Sequence, residues 1–161
     1  MDFIHDQLQS GRKFRVLTMI DKWHPECVAL QAYFTLTGQS VVEALQIVAL
    51  TYQMPYAKIV DHGTEFTSKA LDEWGYQHGI RLDFIRLGKP TENGFIESFN
   101  GRLRDDFPNV KEFVSIEHAR SILNTWREDY NHSRPHGSLG HLTPSEYASG
   151  GQNTDPKASN L

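Results

Sequence analysis

The start of the chain limits its fold more than any other feature. Phe3-Ile4, Lys13 to Ile20 and Cys27 to Phe34 are strand-like runs rich in apolar and β-branched residues. A polar turn at Gln9-Ser10-Gly11 links the first two, and Lys22 to Glu26, with Pro25 inside it, links the second to the third. Parallel neighbours need a crossover of about a dozen residues or more. Links this short specify an antiparallel meander.

Helical and strand patterns then alternate. Ser40-Val41-Val42-Glu43 has the spacing of a capping box, and Val41, Ala44, Leu45, Val48 and Tyr52 repeat at helical intervals up to a stop at Pro55. Lys58 to Val60 reads as a strand ending at Asp61. Ser68 to His78 reads as a helix closed by Gly79, and Leu82 to Leu87 as another strand. After a loop from Gly88 to Gly94, a helix is expected from Phe95 to about Asp106. Ser115 then caps a helix whose Ala119, Ile122, Leu123, Trp126 and Tyr130 share one face. Asn131 to Leu142 reads as a loop, and Thr143-Pro144-Ser145-Glu146 as a capping box with proline at the first helical position. A meander followed by alternating helix and strand gives an α/β fold, a mixed sheet with helices on both faces. That order fits a ribonuclease-H-like fold, with Asp2 and Asp61 on neighbouring central strands. The expected organisation is a core over 1–130, a C-terminal loop and short helix over 131–148 packing on it, and a disordered tail over 149–161.

Composition bounds the chemistry. The 161 residues suffice for one domain, and 9 Phe, 3 Trp and 6 Tyr supply a core. The lone Cys27 excludes an internal disulfide and a Cys-rich zinc site. No apolar run reaches the ~20 residues of a membrane span, and the acidic start, Asp2 and Asp6, is unlike a signal peptide. The expectation is a cytoplasmic protein with no membrane partner. A net charge of −4 is unusual for a nucleic-acid binder. Metal-ligating acids lower net charge, however, and bound cations offset them locally.

Three acids stand out by their settings. Asp2 opens the first strand-like run, Asp61 ends another before the Gly63 turn, and Glu97 lies in the first turns of a helix behind a glycine-containing loop. Two strand carboxylates and one helix carboxylate suit two divalent metals. Magnesium takes octahedral oxygen ligands and is held by a few carboxylates, waters and substrate phosphate. On the helix, Phe95, Ile96, Phe99 and Leu103 should face the core, leaving Glu97, Asn100, Gly101 and Arg104 on another face. Gly101 would let a nucleic-acid backbone approach, and Lys89, Arg102 and Arg104 would contact phosphates. The plainer alternative for this face is a solvated surface with scattered charge.

Three segments together resemble a known family. Asp61-His62-Gly63-Thr64-Glu65-Phe66, the run from Lys89 to Arg104, and Tyr130-Asn131-His132-Ser133-Arg134-Pro135-His136 are similar to the integrase-type catalytic core of bacterial insertion-sequence transposases, relatives of retroviral integrases. Met1-Asp2-Phe3 resembles the first-aspartate strand, and the resemblance runs to about Tyr147. It implies a DDE transposase, a polynucleotidyl transferase. Asp2, Asp61 and Glu97 would be its catalytic metal ligands and two Mg²⁺ ions (Mn²⁺ substituting) its cofactors. It further implies DNA contacts from Lys89, Asn93, Asn100, Arg102 and Arg104, with element ends and target DNA as partners in a homo-oligomer. His62 stands where the family usually has Asn. Family members carry a strand lead-in and an upstream helix-turn-helix region, whereas this sequence starts one residue before Asp2. The expectation is a shortened or separately encoded core of weak activity, relying on an upstream helix-turn-helix region or a separate transposase subunit. Two alternatives are an inactive fragment that interferes with transposition and another ribonuclease-H-like nuclease.

Other candidates read more plainly. Asp6, four residues after Asp2, is the reserve first ligand. Asp21 reads as a turn residue, Glu92 as a loop rival to Glu97, and Glu65 as a capping or solvated acid. His132, His136 and His141 lack a cysteine partner for zinc. Arg134-Pro135-His136 is expected to anchor the C-terminal segment on the core.

Overall fold

Among the described residues, three strands lead, helix and strand then alternate, and helices close the chain, in the order the sequence indicates. The computed structural model describes residues 1–52, 57–60, 63–84, 94–106 and 113–150. Strands β1 (Asp2–Gln7), β2 (Lys13–Ile20) and β3 (Cys27–Tyr33) form the antiparallel meander in the order β1-β2-β3. Asp2 pairs with Thr18, and the β2–β3 register shifts at Met19/Ile20. Strands β4 (Ala57–Val60) and β5 (Arg81–Phe84) pair in parallel. The Met1 nitrogen donates to Ile59 O at 2.8 Å, which sets the start of β1 beside β4.

Alternation along the strands builds a core on each face. On one face Leu17, Met19, Val28 and Val60 pack with Val41 and Leu45 of α1 (Gly38–Thr51) and Leu71 and Trp74 of α2 (Lys69–His78). On the other, Ile4, Phe14, Val16 and Leu30 pack with Phe99 and Leu103 of α3 (Gly94–Asp106) and with Leu123, Trp126 and Tyr130 of α4 (Ile116–His132). The helices therefore cover both sides of a mixed sheet. Among the described residues no helix is long and apolar enough to cross a membrane.

Local chemistry sets the helix ends. Ser68 caps α2 through Leu71 N, and Gly79 closes it in the left-handed region at φ 65°. Ser115 caps α4 through His118 N, and Thr143 with Glu146 forms the capping box of α5 (Pro144–Gly150). Helix α1 differs from the expectation, because its box is Thr37 with Ser40 rather than Ser40 with Glu43. The earlier start is possible because Gly38 has no side chain. A Cβ there would lie 1.9 Å from Ser68 Oγ, so only glycine lets the starts of α1 and α2 meet.

Three other expectations shift. Helix α3 buries Ile96, Phe99, Asn100 and Leu103, whereas Phe95 is exposed. The i, i+3, i+4, i+7 spacing from Ile96 defines this stripe and draws a polar residue, Asn100, inside. The expected loop from Asn131 is helical to His132 and holds a 3-10 turn at Gly137–Leu139. Helix α5 includes residues 149 and 150, while 151–161 lie outside the described residues. Residues 85–87 of the expected strand and the loop at 88–93 also lie outside them.

Candidate active site

Asp2 lies near the start of the β1–β2 ladder, and both of its carboxylate oxygens are engaged. Phe3 N donates to Oδ1 and Asn100 Nδ2 donates to Oδ2, each at 2.7 Å. Thr18 Oγ1 donates to the Asp2 main-chain oxygen at 3.2 Å. These contacts hold the half-buried carboxylate against α3. Asp6, the reserve ligand, is exposed and accepts from Gln7 N. Of the two acids on β1, Asp2 is the one bonded to Asn100.

Asn100 is the residue that sequence reasoning placed least well. It was expected on the open face of α3 as a DNA contact, yet it is only 2% exposed and bonded to Asp2. Its Oδ1 is buried with no partner among the described residues. The available signal was its position between Phe99 and Leu103 on the apolar stripe. Glu97 precedes it by three residues and is exposed. Residues three apart on a helix have Cβ atoms about 5–6 Å from each other, so the Asp2–Asn100 bond brings the Glu97 turn to Asp2. Gly101 has open space where a Cβ would be, and Arg104 is exposed. At ~100° per residue these two share the Glu97 side of α3, whereas Arg102 lies about 140° away.

Arg102 serves the other flank. Its Nη1 lies 3.0 Å from His136 Nδ1. Arginine has no acceptor, so Nδ1 must accept, which requires the neutral ring with its proton on Nε2. Burial lowers the His136 pKa, and the Arg102 charge lowers it further. Beside this contact Arg134 bonds Asp106 of α3 and Asp129 of α4, and its guanidinium lies 5.4 Å from the Trp126 ring centre. The Arg134-Pro135-His136 segment thus anchors the C-terminal part on α3 and α4, as expected. Asn131, which was not singled out, accepts from Cys27 N at 2.8 Å and donates to Cys27 O at 3.0 Å, binding α4 to the edge of β3.

Asp61, His62, Lys89, Glu92 and Asn93 lie outside the described residues. The chain on either side of Asp61 and His62 is firmly held. Val60 is fully buried, and Phe66, also fully buried, stacks on Phe3 at 4.4 Å with the rings 4° apart. Phe3 follows Asp2, so this stack ties the segment after Asp61 to the strand of the first acid. Arg15 bonds both Glu65 and Leu36 O, engaging the Glu65 carboxylate in an ion pair. Burial pushes the Glu65 carboxyl pKa up, but hydrogen bonds from the backbone and Arg15 outweigh it and hold the pKa below its ordinary value.

Among the described residues no cluster of three His, Cys, Asp or Glu forms a metal site. His132 faces Glu128 at 3.5 Å and His136 faces Arg102, so these histidines do not converge on zinc. Asp2, the orphaned Asn100 oxygen and the neighbouring Glu97 supply oxygen donors, a set that suits Mg²⁺ or Mn²⁺ better than a soft metal.

Comparison with known proteins agrees with this fold. The integrase core domain family model matches residues 1–90, and a second integrase core domain model matches 78–144. An uncharacterized 31.7 kDa protein of insertion element IS407 from Burkholderia multivorans is 43% identical over 92% of this chain and 53% of its own length. An uncharacterized 39.2 kDa protein of insertion element IS476 from Xanthomonas euvesicatoria is 40% identical over 92% of this chain and 43% of its own. The chain thus spans about half the length of these curated relatives. The HTLV-2 integrase catalytic core domain, solved in complex with magnesium, superposes with a TM-score of 0.69 at 18% identity, covering 91% of each chain. The catalytic core domain of BIV integrase gives 0.67 at 17% identity over 92% of each. The fold is therefore that of the retroviral integrase cores, ribonuclease-H-like, and the chain belongs to the integrase core domain family.

Proposed function

We propose that this chain is the catalytic core of an insertion-element transposase, a polynucleotidyl transferase in which Asp2, Asp61 and Glu97 hold divalent metal and cut and rejoin DNA. The observation that carries the reading is the Asn100–Asp2 hydrogen bond, which joins the first-strand acid to the helix turn bearing Glu97. Val60, which precedes Asp61 in the sequence, is fully buried on the Phe3 side of the sheet. The relatives come from insertion elements, and a structural neighbour was solved with magnesium.

Divalent metal held by Asp2, Asp61 and Glu97 would supply activation of an attacking oxygen and stabilisation of a leaving one. The residues of the chain orient the reaction around it. Phe3 N and Asn100 Nδ2 hold Asp2 in place, and the open face at Gly101 admits a phosphodiester backbone. In the first step a water oxygen bonds to phosphorus as the P–O3′ bond breaks, and a proton from that water completes the free 3′ hydroxyl. In the second step that hydroxyl oxygen attacks another phosphodiester, and the displaced oxygen takes its proton. Arg104, exposed on the Glu97 side, is the described cation best placed for phosphate, with Lys89 and Asn93 as further contacts. Arg102 is held at His136 and has a structural role first. Two ends must be held together, which implies a homo-oligomer, and end recognition falls to a helix-turn-helix region or a separate subunit.

The test is cleavage of supercoiled duplex DNA in Mg²⁺, with EDTA and an RNA–DNA hybrid as controls. Metal-dependent nicking of duplex DNA that disappears in Asp2→Asn, Asp61→Asn and Glu97→Gln is expected. Preferential cleavage of the hybrid would assign a ribonuclease instead. Nicking that survives all three substitutions would refute the site.

A further inference from the structure

Asn100 carries an inference that rests on the metal site proposed above and goes beyond its three carboxylates. A primary amide is costly to bury unless its donors and acceptor are paired. Asn100 sits on the apolar stripe of α3 between Ile96, Phe99 and Leu103, and its Oδ1 has no partner among the described residues. Fastening α3 to β1 uses only the NH₂ donor of this side chain, and an acceptor buried without a partner costs about 1–3 kcal/mol. The unpaired oxygen is what requires explanation.

The orientation of the amide is fixed by its partner. An ionised carboxylate only accepts, so the NH₂ group must face Asp2 and the oxygen must face away from it. The charged side chain one turn back, Glu97, is also an acceptor and cannot satisfy that oxygen. A water on a divalent cation held by Asp2 and Glu97 would be a strong donor for that oxygen.

We infer that Asn100 is a positioning residue that spans the metal site: its Nδ2 fixes the Asp2 carboxylate and its Oδ1 accepts from a cation-bound water. The amide thereby couples the orientation of Asp2 to the hydration of the metal. Such partners of ligands typically change metal affinity by about 10–100-fold when removed.

The experiment counts free Mn²⁺ by electron paramagnetic resonance during titration of the parent, Asn100→Leu and Asn100→Ala. It is run at a temperature where circular dichroism shows each metal-free protein folded. Leucine keeps the volume and removes the orphaned acceptor, and alanine stands in should leucine fail to fold. The expected result is a Kd for Mn²⁺ raised ~10–100-fold in the variants. In an Asp2→Asn background, adding Asn100→Leu should change the affinity much less than it does in the parent. Equal affinity in parent and variants would overturn the role of Asn100 and leave the carboxylate site standing. No Mn²⁺ binding by the parent would overturn the metal site itself, and this inference with it.

Discussion

Replacing Phe66 with alanine is the most informative test of how the fold supports the site. Phe66 is fully buried and stacks on Phe3, so the side chain both fills the core and joins the segment after Asp61 to the strand of Asp2. Truncating a buried phenylalanine to alanine costs about 3–5 kcal/mol, from lost transfer energy and the cavity left behind. For a chain of this size each kcal/mol moves the melting temperature by roughly 2–4 °C, so the expected fall is about 6–20 °C. Thermal and urea melts give the stability term. Leu123→Ala serves as the control, because Leu123 is also buried but packs on the opposite face of the sheet, with α3 and α4. Its cost should fall within about 2–5 kcal/mol. Measured where both variants are folded, Mn²⁺ affinity should drop in Phe66→Ala and change little in Leu123→Ala. A loss below ~1 kcal/mol for Phe66→Ala, or equal effects of the two variants on metal binding, would refute the anchoring argument.

Three further tests follow from other contacts. Gly38→Ala would place a Cβ 2.4 Å from Ser68 Cβ, which cannot rotate away, so the cap of α2 must shift. The expected cost is about 1–3 kcal/mol in a denaturant melt, despite the better helix propensity of alanine. Asn131→Ala strips the partners from both backbone groups of buried Cys27, and with about 1–3 kcal/mol for each unsatisfied group the expected loss is about 2–6 kcal/mol by the same assay. For pH, burial raises the Glu65 and Asp106 pKa values, but hydrogen bonds from the backbone and Arg15 at Glu65, and from Arg134 and Trp126 at Asp106, leave both lowered. A lowered carboxyl contributes stability above its unfolded pKa and loses it as pH falls through the folded one. Melting temperature should therefore decline on acidification below about pH 5, with a shallower decline in Glu65→Gln.

Much of the architecture was legible because apolar period and turn chemistry agree along this chain. The short links named the meander, Gly79 and Ser115 marked helix ends, and the Thr143–Glu146 box was visible as written. The shifts occurred where long-range contact outweighed local pattern. Thr37 took the cap of α1 because Gly38 can meet Ser68, a contact invisible from either segment alone. Asn100 was read as outward because it is polar, although its spacing with Ile96, Phe99 and Leu103 places it inside. Its burial makes sense only once Asp2, nearly the whole sheet away in sequence, is known to be its partner. Arg102 shows the converse, since a cation near Glu97 in sequence turns to His136 on the far flank of the helix. Asn131 gave no signal because its partners are backbone groups of β3. The three acids were singled out from their settings, and among them Asp2 has a contact, to Asn100, that joins strand to helix.

The central claim is that Asp2, Asp61 and Glu97 make one divalent-metal site, and the most direct measurement is a Mn²⁺ titration of thermal stability in the parent and in Asp61→Asn. A ligand that binds only the folded state raises the melting temperature by mass action. The expected result is a saturable rise in the parent that is lost in Asp61→Asn. An equal rise in both, or none in either, would contradict the claim.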